Sequence, residues 1–261
     1  MIREAGVEKV STRHAMGVRH TFRLSSNDRM NREYHKWYSP SLGRDMELLV
    51  FGHAGLPVIV FPTSMGRFFD YENRHMISII GDQYESGQIQ AFCVDSVDAE
   101  SWYNKSIHPA ERAARHEQYD HYLVNEVVPF IRSRNSSPEL TVTGCSFGGY
   151  HSANFALKHP QLVTEFISMG GAFDIHQFLD GYYDDTCYYN CPPDFLPNLN
   201  DPAVNRMNII LAAGEYDICR AENERLSGIL AAKGIAHTLD IWGDGAGHDW
   251  PWWQAMVVKF L

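Results

Sequence analysis

The residue types that could do chemistry converge on Gly144-Cys145-Ser146-Phe147-Gly148, a G-x-S-x-G pattern. A β-prone run, Leu140 to Thr143, precedes it, and a helical run, Tyr150 to His159, follows. A sharp turn of this kind lifts a serine hydroxyl above the end of a sheet. The serine must adopt a strained backbone, and strand and helix pass so close that Gly144 and Gly148 should carry no side chain. The N-terminus of the following helix offers free N–H groups, that of Phe147 among them, to negative charge.

A serine hydroxyl is a poor nucleophile near neutral pH. It needs a base within hydrogen-bond reach, and the base needs an acid to fix its tautomer. His248 suits the base, because it follows the last β-prone run on a loop with Gly243, Gly245 and Gly247, which would let it reach back over a sheet. Asp217 suits the acid, directly after the run that ends at Ala213, with Glu215 as a neighbouring competitor. Asp240 lies inside a strand-like run and suits the role less. His151 and His159 ride the helix after Ser146 and do not easily face it. An oxyanion needs two backbone donors. Phe147 supplies one by position, and Ser64 or Met65, in the loop after Pro57–Phe61, the other. Trp102, Tyr103, His176, Tyr182, Tyr183, Tyr188 and Tyr189 fall in segments expected on the same side, where they could line a substrate pocket or pack the fold. Arg67 and Lys105 read better as solvated surface charge than as anion ligands.

The elements that must hold these groups alternate. Strands are expected at Glu33–Ser39, Asp45–Phe51, Pro57–Phe61, Ile89–Val94, Glu165–Met169, Asn208–Ala213 and Thr238–Trp242, besides the one before Ser146. The unbroken apolar run Pro57–Phe61 marks a central strand covered on both faces. Helices are expected at Asp70–Tyr84, from Pro109 onward with Pro129 kinking or closing its end, at Cys219–Lys233 and from Trp250 to Leu261. Thr21–Leu24 could add an edge strand. Residues 172–206 are too irregular for a plain crossover and read as a short cap or lid insertion. Alternating strands and helices with right-handed crossovers give an α/β fold, a mostly parallel central sheet with helices on both faces, in one domain over 1–261. Such sheets collect their sites at the carboxyl ends of the strands.

The chain has 261 residues, 44% of them hydrophobic, enough for one large core. A net charge of -10 argues against a nucleic-acid partner. No apolar stretch reaches the ~18 residues of a membrane span. The first ten residues carry acids and no apolar core, which does not read as a secretory signal. A cytoplasmic location is therefore expected, with Cys187 and Cys191 reduced rather than bridged. The thirteen histidines form no metal-type spacing, so no metal is expected. The sequence leaves a homo-oligomer open.

Four stretches together resemble a known group: Phe61–Arg67, Gly144–Gly149, Gly214–Cys219 and Gly243–Trp250. They are similar to the esterase group of α/β-hydrolases that includes esterase D-like enzymes, feruloyl esterases and mycolyltransferases. The likeness spans roughly residues 30 to 261. Phe178–Asp185 is similar to the short insertion of bacterial esterases in this group. The resemblance implies an α/β-hydrolase fold and a serine carboxylesterase acting on a small-molecule ester, with Ser146 as nucleophile, Asp217 as acid and His248 as base, in the group's chain order. It implies no metal and no organic cofactor. The chain has no HGGG stretch before its first helix, which argues against the lipase branch. Acyl transfer by the same three residues, or a catalytically silent binding protein on this fold, are the alternative readings.

Overall fold

The computed structural model describes residues 30–261. The strand expected at Thr21–Leu24 lies outside them. Eight strands form one sheet: β1 (Arg32–Ser39), β2 (Arg44–Phe51), β3 (Leu56–Phe61), β4 (Ile89–Val94), β5 (Thr141–Cys145), β6 (Glu165–Met169), β7 (Asn208–Gly214) and β8 (Thr238–Trp242). Their spatial order is β1-β2-β4-β3-β5-β6-β7-β8. β1 and β2 run antiparallel to their neighbours, and the rest pair in parallel.

Period-two alternation splits the sheet between two cores. Ile59 and Phe61 of β3 face a cluster with Tyr119, Leu123 and Val127, with Phe155 of the helix Phe147–Lys158, and with Leu226 and Leu230 of the helix Arg220–Ala232. Val58 and Val60 face the other way, onto Met76, Ile80, Tyr84 and Trp253, Met256 and Val257 of the helix Trp250–Phe260. Each such fully buried Val, Ile or Phe contributes roughly 1.5–3 kcal/mol.

One expectation is corrected and another narrowed. Asp70–Tyr84 is not one helix but three short ones, Asp70–Asn73, Met76–Ile79 and Gly81–Glu85, broken where His75 takes φ 59°. The break turns Tyr71 as well as Met76, Ile77, Ile80 and Tyr84 inward, which a continuous helix would not do at that spacing. At Pro129, where a kink or a close was expected, the helix is distorted but not closed. A wide π turn at Leu123–Val127 joins Pro109–Tyr122 to Val128–Arg134. It carries the chain past the proline, whose missing N–H an α-helical ladder would have needed.

The segment between β6 and β7 holds Asp185–Tyr189, packed against Pro109–Tyr122, and Pro192–Phe195, packed against the helix after Ser146. Ile175, Phe178, Leu179, Cys187 and Cys191 form a third apolar cluster there with Trp102, Phe147 and Tyr150. All five cysteines are free and buried. Among the described residues no helix is long and apolar enough to cross a membrane.

Candidate active site

Ser146 sits between β5 and the helix Phe147–Lys158 with φ 55° and ψ -121°, a region closed to most side chains. The surroundings hold it there. Its N–H donates to Met169 O at 3.0 Å, and its carbonyl accepts from Gly149 N at 2.9 Å and Ala172 N at 3.2 Å. The tight crossing is visible at the two glycines. A Cβ on Gly144 would lie 2.3 Å from the Gly148 carbonyl carbon, and one on Gly148 would lie 2.6 Å from Phe61 O.

Three side chains from distant parts of the chain meet at this turn. His248 Nε2 is 2.9 Å from Ser146 Oγ. His248 Nδ1 is 2.7 Å from Asp217 Oδ1, which also accepts the Cys219 N–H at 2.7 Å. The Asp217 side chain is fully buried and that of His248 only slightly exposed. A carboxylate on Nδ1 leaves Nε2 free to accept a proton from the serine hydroxyl. Glu215, the competing acid, points elsewhere and accepts the Gly245 N–H at 2.7 Å. Asp240 pairs with Lys259. Asp249, not His248, caps the last helix.

One residue of the site left no recognisable mark in the sequence. The Trp253 ring stands edge-on to His248, centroids 4.8 Å apart. Its Nε1 and Asp217 Oδ2 are both buried without a partner among the described residues. Both face Gly170, whose Cβ would lie 2.6 Å from Asp217 Oδ2, 2.9 Å from Trp253 Nε1 and 3.3 Å from His248 Nδ1. In the chain Trp253 reads as one more apolar residue of a helix rich in tryptophan.

The loop after β3 passes beside the serine. Met65 and Ser64 separate there. The Met65 N–H donates to Asp98 Oδ2 at 2.9 Å, so it is not free for a substrate oxygen, which corrects its candidacy. The Ser64 N–H has no protein acceptor among the described residues. Phe147 occupies the first position of its helix, where an N–H has no intrahelical partner.

The pocket candidates also divide. Tyr103 is half-buried, 5.5 Å edge-on from Phe147 and 4.9 Å from Phe178 by ring centroids. Burial pushes its phenol above the usual value, a hydrogen bond with Ser64 opposes the rise, and Asp98 and Cys219 add to it. Trp102 is wholly buried and donates to Tyr150 Oη at 3.1 Å, so it packs the fold rather than lining a pocket. His176 is half-exposed, 2.6 Å from Asp174 Oδ1 and stacked on Tyr183. The Tyr182 hydroxyl donates to Asp184 and its ring abuts His108. Tyr188 and Tyr189 line a separate cavity of about 580 Å³ with Leu157 and Lys158. Those two lie roughly 16 Å along the helix from Ser146 at 1.5 Å per residue. Arg67 pairs with Asp95 and Glu47, and Lys105 with Asp180 and the Gln177 carbonyl.

Among the described residues two groups have the residue types to hold a metal ion. Asp217, Cys219 and His248 are one, yet they are the hydrogen-bonded residues just described, and burial pushes the Cys219 thiol up to about 12. Asp174, His176 and Cys191 are the other, where Arg225 already occupies Asp174 Oδ2 at 2.7 Å.

This strand order, with a strained serine at the end of β5 and an imidazole delivered after β8, defines an α/β-hydrolase fold. The chain belongs to the family described as "Putative esterase", whose model matches residues 39–260, and it is an enzyme that hydrolyses esters. A ferulic acid esterase superposes with TM-score 0.71 at 12% identity over 89% of this chain and 96% of its own. The S-formylglutathione hydrolase FrmB from Staphylococcus aureus gives 0.67 at 17% over 89% and 95%. An S-formylglutathione hydrolase from Agrobacterium tumefaciens gives 0.70 at 13% over 90% and 94%. Likeness at such identities speaks for the fold. No curated protein matches the chain.

Proposed function

We infer that this protein is a serine carboxylesterase working through an acyl-enzyme, with Ser146 as nucleophile, His248 as general base and Asp217 as the acid that orients it. The observation that carries this reading is the unbroken relay of 2.9 and 2.7 Å from Ser146 Oγ through His248 to Asp217. Ser146 Oγ attacks the ester carbonyl carbon as His248 Nε2 takes its proton. The Phe147 and Ser64 N–H groups receive the negative oxygen. The carbon–oxygen bond to the alcohol then breaks, and His248 passes its proton to the departing alcohol. Water repeats the sequence and frees the acid.

The acyl group is taken to rest against the half-buried Tyr103, whose ring is backed by Phe147 and Phe178, which suits a small or aromatic acid. The ferulic acid esterase among the structural relatives supports including aromatic acyl groups. The decisive experiment is Ser146→Ala assayed with p-nitrophenyl acetate and a feruloyl ester. Turnover should vanish for both, and turnover that persisted in folded protein would remove the nucleophile assignment.

A further inference from the structure

We propose that the buried Asp98–His151 pair is a positioning device that holds the Ser64 amide in the oxyanion site. The proposal rests on the oxyanion reading above. Asp98 and His151 are nearly inaccessible, at 0% and 1% side-chain exposure, and His151 Nε2 is 2.9 Å from Asp98 Oδ1. The other oxygen, Oδ2, accepts the Met65 N–H at 2.9 Å. One carboxylate thus joins three parts of the site: the loop after β4, the helix that follows Ser146 and the loop after β3. A buried carboxylate is costly unless its partners are fixed, and here both partners belong to the catalytic surroundings.

The geometry of the turn explains what the bond accomplishes. Thr63 O accepts the Gly66 N–H at 2.8 Å, and Met65, third in that turn, has φ 59°. A positive φ at the third position marks a type II turn. Types I and II differ by a flip of the central peptide, here the one ending in the Met65 N–H. Binding that N–H to Asp98 selects the type II orientation, although its positive φ is one that Met65 would otherwise avoid. On the other side, Asp70 Oδ2 accepts both Thr63 N–H (3.0 Å) and Thr63 Oγ1–H (2.8 Å). Ser64 is therefore held from both ends, and its own N–H is left for a ligand. His151 also backs the second donor residue, with its ring edge-on to Phe147 at 5.1 Å. Its Nδ1 is buried without a partner among the described residues, and its hydrogen bond there runs through Nε2.

The test compares kcat, KM and the affinity of an alkyl trifluoromethyl ketone, which forms a tetrahedral oxyanion on the serine. Active sites are counted by fluorophosphonate titration taken to completion. Asp98→Asn and His151→Phe should each lower kcat about 10²-fold, the scale of one lost oxyanion donor, and weaken the ketone by the same factor, with KM nearly unchanged. His151→Gln restores an N–H near the Nε2 position and should recover most of the loss, whereas His151→Asn, too short, should not. Normal kcat and ketone affinity in folded Asp98→Asn would overturn the proposal. If that variant does not fold, equal kcat for His151→Gln and His151→Asn would overturn it instead. Ser64→Pro, read against Ser64→Ala, separates the underlying reading, because proline suits the second position of a type II turn and removes the N–H, while alanine removes only the hydroxyl that meets Tyr103. Full activity in Ser64→Pro refutes the oxyanion role of Ser64 itself. A loss there beside normal Asp98→Asn refutes the positioning pair alone.

Discussion

Glu215 Oε1 accepts the Gly245 N–H at 2.7 Å, tying the loop after β7 to the loop after β8. Two residues on, Asp217 Oδ1 lies 2.7 Å from His248 Nδ1. Adjacent carboxylates thus divide the work, one fixing the loops and the other facing the imidazole.

That division predicts different costs. Asp217→Asn leaves an amide on Nδ1, favours the wrong tautomer and should lower kcat by about 10⁴-fold. Glu215→Gln keeps an acceptor oxygen for Gly245 and should lower kcat by far less. Steady-state rates with p-nitrophenyl acetate decide the matter, and a larger loss in Glu215→Gln would show the acid to be misassigned.

Gly170 should tolerate no side chain. It has φ 60°, and an added methyl would press on Asp217 Oδ2, Trp253 Nε1 and His248 Nδ1 together. Gly170→Ala is expected to lose roughly 1–3 kcal/mol of stability from overpacking. It should also lose most of its kcat, because Asp217 and His248, the proposed acid and base, are pushed apart. Urea midpoints and rates measured together test this, and wild-type turnover in Gly170→Ala would contradict it.

The pH dependence of stability should follow His116. Burial holds its imidazole well below the ordinary value, with His151 and Lys158 adding to the effect. As pH falls through about 6.5 the unfolded chain takes up a proton there and the folded chain does not. Stability present above that pH is then lost below it, by up to about 1.4 kcal/mol per pH unit. His116→Gln should flatten this slope in urea titrations at a series of pH values. An unchanged slope would assign the effect to other groups.

Acyl selectivity should lie with Tyr103. Tyr103→Ala removes an aromatic wall beside Phe147 and Phe178. It should raise KM for a feruloyl ester roughly 3- to 10-fold, the worth of one aromatic contact, and leave an acetyl ester little changed. Equal shifts for both esters would place the acyl group elsewhere.

Much of this arrangement can be read in the chain, for a physical reason. Strands β4, β6 and β8 match their expected limits, Ile89–Val94, Glu165–Met169 and Thr238–Trp242, because apolar runs bounded by glycine and turn residues declare themselves locally. The Gly144–Gly148 spacing is legible because it answers a close backbone crossing. What stayed hidden depends on partners remote in sequence. The Met65 amide is taken by Asp98, 33 residues away, and nothing near Met65 signals that. The burial of Trp102 depends on Tyr150, 48 residues on. The break at His75 and the wide turn before Pro129 follow from what each side chain must reach in the core, which local propensity does not encode.

The relay from Ser146 to His248 spans 102 residues of chain and closes only when the last parallel strand and the helix Trp250–Phe260 have docked. With the proposed nucleophile and base, ester turnover therefore reports complete threading of the polypeptide. During refolding, regain of activity should trail the regain of helical signal, because long loops must close before the final edge of the sheet can form.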